Sequence, residues 1–159
     1  MSVYYFDASA VVKLYVPEPG SQWVEQIVVT GKANQDAESL VVFALIGVAE
    51  AAAAIARHHR QGNLTAEMRT ALFRQLVKDH TRRFTTLTIT DKVVLKAAEL
   101  TQEYTLRGYD AVHLAAAVDY NQLLQAETGE ALIFVTADEV LYRAAQAAGL
   151  IVENPNNYA

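Results

Sequence analysis

Apolar residues of this chain fall into short continuous or alternating runs, separated by longer stretches in which they recur every three or four positions. The short runs predict β-strands, and the wider spacing predicts helices with one buried face. Because strands and helices alternate along the whole chain, the pattern predicts an α/β fold with a parallel sheet of four to five strands and right-handed crossovers. The predicted strands cover residues 3–6, 40–43, 85–89, 131–135 and 150–152.

The predicted helices differ in how far they are buried. Residues 64–84 form the clearest amphipathic helix, whereas residues 109–127 begin almost wholly apolar and are expected to be buried on most sides. A polar loop is expected at residues 34–39. The apolar side of the amphipathic helix consists of Met68, Leu72, Leu76 and Val77. The other helices are predicted at residues 8–15, at 21–28 with Gly31 as the end, from about 44 to Gly62, at 91–106 with Thr90 as N-cap, and at 138–148.

The chain is expected to form a single domain at residues 1–153, followed by a C-terminal tail at residues 154–159. Its 159 residues are 52% hydrophobic and 19% charged, which is enough to bury a sizeable core. There are no cysteines, and the chain begins directly with a strand pattern, so we expect a cytoplasmic location. The apolar stretch at residues 40–56 is short for a membrane span and contains Glu50, so we expect no membrane association.

The net charge of −5 argues against a protein that holds nucleic acid by bulk electrostatic attraction. Any contact with nucleic acid would therefore be local. A divalent cation held by carboxylates is one way to make an acidic site attractive to phosphate.

Four carboxylates stand out because their neighbours are apolar. Asp7 and Asp138 follow the first and fourth strands, Glu50 lies in the alanine-rich helix, and Asp110 opens the most apolar helix. The carboxyl ends of parallel strands share one edge of a sheet, where ligands collect. Each acid has a local explanation as a cap or a hydrogen-bonded buried group, and Asp7 in particular is suited to be an N-cap. Taken together, four such acids favour one shared cation.

Oxygen ligands without His or Cys favour Mg²⁺ or Mn²⁺, which can activate a water and stabilise an in-line phosphodiester displacement. Ser9 and Thr136, each two residues from one of these acids, either orient a metal-bound water or cap a helix. His113 follows Asp110 by three residues and is expected to be a hydrogen-bonded partner more than a ligand or base.

Other charged residues have simpler explanations. Asp91 opens an exposed helix, where an acid complements the helix dipole, and Asp119 lies on the opposite face of its helix from Asp110. The cluster of Arg57, His58, His59 and Arg60 near a helix C-terminus either complements the dipole or contacts phosphate. His80 is expected to be solvated.

Several blocks of this sequence resemble the PIN-domain ribonucleases, in particular the VapC toxins of type II toxin–antitoxin pairs. The resemblance covers nearly the whole chain in the family's order. The blocks are Phe6-Asp7-Ala8-Ser9-Ala10-Val11-Val12-Lys13-Leu14-Tyr15 with the following Pro17-Glu18-Pro19-Gly20-Ser21, then Ala49-Glu50, then Arg107-Gly108-Tyr109-Asp110-Ala111-Val112-His113-Leu114-Ala115-Ala116-Ala117, and finally Thr136-Ala137-Asp138.

This resemblance implies a three-layer α/β/α sandwich, an endoribonuclease that depends on Mg²⁺ or Mn²⁺, a homodimer, and inhibition by a cognate antitoxin protein. It implies that Asp7 and Asp110 hold the main metal directly. Glu50 and Asp138 would ligate through water, bind a second ion or activate the water. Arg57, Arg60 and Arg107 are candidates for RNA contact.

Other function classes fit less well. A haloacid-dehalogenase-like phosphatase needs a second Asp where this chain has Ser9, and a dinucleotide-binding fold needs a glycine-rich loop after the first strand. The non-enzymatic alternative is a PIN-like module that binds RNA or protein without cleaving it. Such a module is expected to have lost some of the four acids, all of which are present here.

Overall fold

The computed structural model describes residues 1–32 and 39–158, with the backbone alone at residues 30–32. The strands are β1 (Ser2–Phe6), β2 (Ser39–Ala44), β3 (Thr85–Leu87), β4 (Leu132–Val135) and β5 (Ile151–Glu153). The helices are α1 (Ala8–Val12), α2 (Ser21–Lys32), α3 (Ile46–Arg60), α4 (Ala66–Arg82), α5 (Asp91–Glu103), α6 (Gly108–Thr128) and α7 (Glu139–Ala147), with a 3₁₀ helix at Pro155–Asn157.

All strand pairs are parallel, and the strand order is β3-β2-β1-β4-β5. Along the chain, β2 and β3 are added on one side of β1, and β4 and β5 are then added on its other side. The direction in which strands are added therefore reverses between β1 and β4. Phe6 at the end of β1 pairs with Phe43 of β2 and Val135 of β4, so the three central strands end in line. In open parallel sheets the crevice at such a reversal is where ligands bind.

Alternating side chains of the central strands build two separate cores. Val3 and Tyr5 pack with buried residues of α5, α6 and α7 on one face of the sheet. Phe6 and Val135 pack with buried residues of α1, α2, α3 and α4 on the other face. Strand side chains point to opposite faces in turn, so strands with both faces covered must be apolar throughout. The parallel sheet and its two helical layers confirm the predicted α/β/α fold class.

The apolar side of α4 is narrower than the sequence predicts. Leu76 is fully buried and Leu72 partly buried, whereas Met68 is 48% exposed and Val77 42% exposed. The assignment of Met68 and Val77 to the packed side is therefore wrong. In their place the helix buries Asp79, whose carboxylate accepts hydrogen bonds from the Tyr15 hydroxyl at 3.0 Å and from Gln75 at 2.7 Å.

Other element boundaries move by a few residues. Helix α2 passes Gly31 and ends at Lys32, and Ser39 belongs to β2. The rest of the loop predicted at residues 34–39 lies outside the described residues. Helix α5 begins after the predicted N-cap Thr90 but ends at Glu103, because Tyr104 adopts an extended conformation. Among the described helices, none combines the length and the apolar character needed to cross a membrane.

The segment predicted as a tail packs against the start of the chain. Lys13 is buried, and its Nζ donates hydrogen bonds to the Pro19 carbonyl and to Asn156 Oδ1, both at 2.8 Å. The rings of Trp23 and Tyr158 stack with their centroids 4.3 Å apart. The C-terminal residues are thus held against the loop that precedes α2.

Replacing Gly20 by Ala is expected to lower the free energy of unfolding by about 2–4 kcal/mol. Gly20 has φ of +84°, and a Cβ there would lie 2.1 Å from the backbone oxygen of Pro155. Gly62 offers a matched control, because its φ of +82° is similar but no atom of the described residues outside its chain neighbours lies within 4 Å of its Cβ position. Gly62→Ala should therefore show only the conformational cost of about 1 kcal/mol. Urea unfolding measures both, and equal losses would contradict a close approach by the C-terminal segment.

Candidate active site

A cavity of about 400 Å³ opens at the carboxyl edge of the sheet, beside β1 and β4. The turns after these two strands and the helices α3 and α6 supply its walls. All four acids predicted from the sequence line it. The polar side chains of the cavity wall are Asp7, Ser9, Glu18, Glu50, Arg57, His58, Arg107, Tyr109, Asp110, His113 and Asp138.

Asp7 is both a helix cap and a cavity residue. Its Oδ1 accepts hydrogen bonds from the backbone N–H of Ala10 at 2.9 Å and from the Ser9 hydroxyl at 2.7 Å. Its Oδ2 accepts a hydrogen bond from the Thr136 hydroxyl at 2.6 Å. The two interpretations that the sequence left open for Asp7 are therefore compatible, because capping uses one oxygen and the side chain still faces the cavity.

The Asp7 carboxylate is costly to bury. Loss of solvent raises its pKa, and the nearby imidazole of His113 and the hydrogen bonds from Thr136, Ser9 and Ala10 offset only part of that rise. Among the described side chains, no Lys or Arg forms an ion pair with it. A buried carboxylate with neutral donors but no cationic partner is suited to a bound cation.

Asp110 and Asp138 face each other across the guanidinium of Arg107. Asp110 lies in the first turn of α6, and Asp138 caps α7 by accepting a hydrogen bond from the Leu141 N–H at 2.9 Å. Arg107 Nε donates to Asp110 Oδ2 at 2.9 Å, and its terminal nitrogen lies 3.6 Å from Asp138 Oδ2. An exposed cation of the chain itself thus pairs with two of the four acids.

Glu50 is paired with a histidine instead. His113 Nε2 lies 2.5 Å from Glu50 Oε2, and His113 Nδ1 lies 3.0 Å from the Tyr5 hydroxyl. Burial raises the pKa of Tyr5 well above its ordinary value, and the nearby charges of Asp7 and Glu50 raise it further. His113 is the partner that the sequence suggested, whereas Tyr5 was missed because it looked like any other residue of a buried strand.

The side chains of this cavity are of the types that bind a hard cation, but their present spacing does not form a metal site. All four acids offer oxygen ligands on one cavity, as Mg²⁺ or Mn²⁺ requires. Within the part of the chain that the structure describes, however, no three Asp, Glu or His side chains converge closely enough to form a ready metal site. Arg107 stands between two of the acids, so a metal would have to displace its guanidinium.

The remaining candidate residues differ in whether they line the cavity. Ser9 lines the cavity, and Thr136 acts on it through its bond to Asp7. Arg57 and Arg107 line the cavity, whereas Arg60 does not. Asp91 and Asp119, which the sequence set aside, also lie elsewhere. The sequence did not identify Tyr109, an exposed aromatic at the cavity wall, although its position next to Asp110 was a usable signal.

Comparisons with known proteins agree with this fold. Ribonuclease VapC45 from Mycobacterium tuberculosis (strain CDC 1551 / Oshkosh) is 32% identical over 149 residues, which are 94% of this chain and 93% of that protein. The solved structure of FitAcB from Neisseria gonorrhoeae is similar with a TM-score of 0.63 at 18% identity, covering 96% of this chain and 97% of that one. A toxin–antitoxin complex from Klebsiella pneumoniae has a TM-score of 0.59, also at 18% identity, with 96% and 97% of the two chains covered.

The family resemblance inferred from the four acid blocks is tested directly by a family model. The model described as the PIN domain matches residues 4–147, which include Asp7, Glu50, Asp110 and Asp138. Since this match and the relative at 32% identity both extend over most of the chain, the protein is a member of the PIN domain family.

Proposed function

We propose that this protein is an endoribonuclease that cleaves RNA phosphodiester bonds with the aid of Mg²⁺ or Mn²⁺, as the toxin of a toxin–antitoxin pair. The observation that carries this proposal is that the four acids predicted from the sequence share one cavity, and that one of them, Asp7, is a buried carboxylate with no Lys or Arg partner among the described side chains. The name of the M. tuberculosis relative, a ribonuclease, supports RNA as the substrate.

Asp7 and Asp110 would hold the cation directly, and Glu50 and Asp138 would hold it through water or bind a second ion. When bound, the cation supplies positive charge to the phosphate and lowers the pKa of a water. The chain's own residues prepare the site. Ser9 and Thr136 donate to both oxygens of Asp7, so they favour its ionised form and fix its orientation.

Phosphate recognition would fall to Arg57 and Arg107 at the cavity wall. The chain carries a net charge of −5, so nonspecific attraction contributes little and these local cations must guide the RNA. Arg60 lies outside the cavity and would contact only a longer substrate.

We also propose a cognate antitoxin as partner, a homodimeric assembly and a cytoplasmic location. The solved structure from K. pneumoniae is described as a toxin–antitoxin complex, which supports the first of these. Exposed apolar side chains such as Phe73 and Leu95 are compatible with protein contacts on the helical surface.

Cleavage of a mixed RNA pool tests the proposed function. With Mg²⁺ or Mn²⁺ we expect discrete fragments, and with EDTA we expect none. Activity that is indifferent to EDTA would contradict the metal mechanism. RNA binding without cleavage under every metal condition would instead support a binding module that has lost catalysis.

Replacing Arg107 by Ala is expected to strengthen Mn²⁺ binding about 1.4- to 5-fold, since an exposed ion pair that must be broken is worth about 0.2–1 kcal/mol. The same substitution should weaken RNA binding, because a cation at the cavity wall is lost. Isothermal titration with Mn²⁺ measures the first effect. Arg143→Ala is the matched control, because Arg143 is similarly exposed but pairs with Glu139 on α7, outside the cavity. Weaker Mn²⁺ binding in the Arg107 variant would mean that its guanidinium does not compete with the metal.

A further inference from the structure

A chain of three hydrogen-bonded side chains connects the core to the cavity. Tyr5 comes from β1 and is fully buried, His113 comes from α6 and is 1% exposed, and Glu50 comes from α3 and lines the cavity. The contacts are 3.0 Å from the Tyr5 hydroxyl to His113 Nδ1 and 2.5 Å from His113 Nε2 to Glu50 Oε2. Three elements from different parts of the chain thus meet at one imidazole.

The ring of His113 lies in a slot beside Gly47, which exists because glycine has no side chain. A Cβ at Gly47 would lie 3.0 Å from His113 Cε1 and 2.3 Å from Phe43 Cε2. The Phe43 ring lies nearly parallel to the imidazole, and the Tyr5 ring meets it edge-on. Because Gly47 and Glu50 lie one turn apart on α3, the same helix forms the slot and carries the acid.

For a neutral imidazole, the hydrogen-bonding roles along this chain are mutually consistent in one arrangement. A carboxylate only accepts hydrogen bonds, so Nε2 must carry a hydrogen to bond Glu50. A phenol is neutral near pH 7 and has one hydrogen to donate, which suits a bare Nδ1. The Tyr5 hydroxyl therefore selects the Nε2–H tautomer, and that tautomer donates to Glu50.

We propose that Tyr5 and His113 are positioning residues that hold Glu50 in place for the cleavage reaction. His113 binds Oε2 and leaves Oε1, for which the described residues provide no hydrogen-bond partner, available to a group bound in the cavity that Glu50 lines. This inference rests on the proposed function and deepens it. The alternative is that the three groups only satisfy each other in the core, without any effect on the site.

Replacing Tyr5 by Phe removes the hydroxyl and keeps the ring, which stacks on Phe134. We expect kcat for the most efficiently cleaved RNA of the pool to fall about 10- to 100-fold with little change in KM, as for other groups that orient a site residue from behind. The matched control is Tyr15→Phe, which also loses a buried hydroxyl contact, to Asp79 at 3.0 Å, but lies outside the cavity. Equal kcat values for wild type and the Tyr5 variant would overturn the proposal.

The imidazole ¹⁵N spectrum provides a readout that is independent of activity. We expect His113 to be the Nε2–H tautomer in the wild-type protein, and to lose that preference in the Tyr5→Phe variant but not in Tyr15→Phe. An Nδ1–H tautomer or a doubly protonated ring in the wild type, or a spectrum that Tyr5→Phe leaves unchanged, would overturn the proposal. If the wild type cleaves no RNA, the proposed function fails, and this spectrum still decides whether Tyr5 controls His113.

Two substitutions of His113 distinguish its role in orienting Glu50 from its role in packing. His113→Gln retains an N–H donor for Glu50, whereas His113→Leu retains only an apolar side chain. We expect the Gln variant to keep at least several-fold more kcat than the Leu variant when both are folded, as judged by urea unfolding. Equal loss in two folded variants would show that the donor to Glu50 has no role.

Discussion

Asp7→Asn should reduce RNA cleavage on the order of 10³-fold while the protein stays folded. The substitution removes the negative charge from the one acid of the cavity that is buried and has no cationic partner among the described side chains. It keeps the shape of the side chain, and the Ser9 and Thr136 hydroxyls can turn to accept as well as donate. Initial rates with Mn²⁺ in excess measure the loss, and Asp91→Asn, which changes an exposed acid outside the cavity, should retain full activity.

Stability in the absence of divalent cations provides the folding control for this variant. Burial raises the pKa of Asp7 above the value near 3.9 of an unfolded chain, so the native state binds more protons than the unfolded state in this range. Wild-type stability is therefore lost through this group as the pH rises from about 4 through the native pKa. The Asn variant lacks this loss, so in EDTA it should be at least as stable as wild type at pH 7. A less stable variant at neutral pH would show that the carboxylate is needed for folding.

Asp110→Asn is the second substitution with a large expected effect, on the order of 10²- to 10³-fold in cleavage rate. Asp110 would share the cation with Asp7, and it is also the main partner of Arg107, which donates to it at 2.9 Å. Its loss would weaken Mn²⁺ binding and release the guanidinium at the same time. Mn²⁺ titration and cleavage rates measured on the same samples distinguish lost metal from lost chemistry.

Asp119→Asn is the matched control for that substitution, because Asp119 lies on the same helix, α6, and pairs with Lys92 away from the cavity. It should bind Mn²⁺ and cleave RNA as the wild type does. Comparable losses in both variants would mean that the total charge of α6 matters and the position of the carboxylate on that helix does not.

Local sequence patterns were sufficient to predict the element order and the location of the four acids. Strand-forming runs end at Asp7 and just before Asp138, and parallel strands bring such ends to one edge. Helix caps also follow from near neighbours in the sequence, as Thr90 shows. These features depend on residues a few positions apart, so they are visible without the fold.

The partners of each acid depend on packing between distant segments. The sequence assigned Met68 and Val77 of α4 to the core, yet both are exposed, because helical spacing identifies a stripe but not how much of it a neighbour covers. The burial of Asp79 in the same helix was missed for the same reason: its partner Tyr15 is 64 positions away.

The sequence by itself determined that this chain is an α/β protein of the PIN family type with four acids at one edge of its sheet. The tertiary structure decided which groups face those acids: hydroxyls for Asp7, the Arg107 guanidinium for Asp110 and Asp138, and His113 for Glu50. Tyr5 and His113 lie 108 positions apart, and His113 and Glu50 lie 63 apart. Local periodicity carries no information on such contacts, because only the docking of α3 and α6 against β1 brings these side chains together.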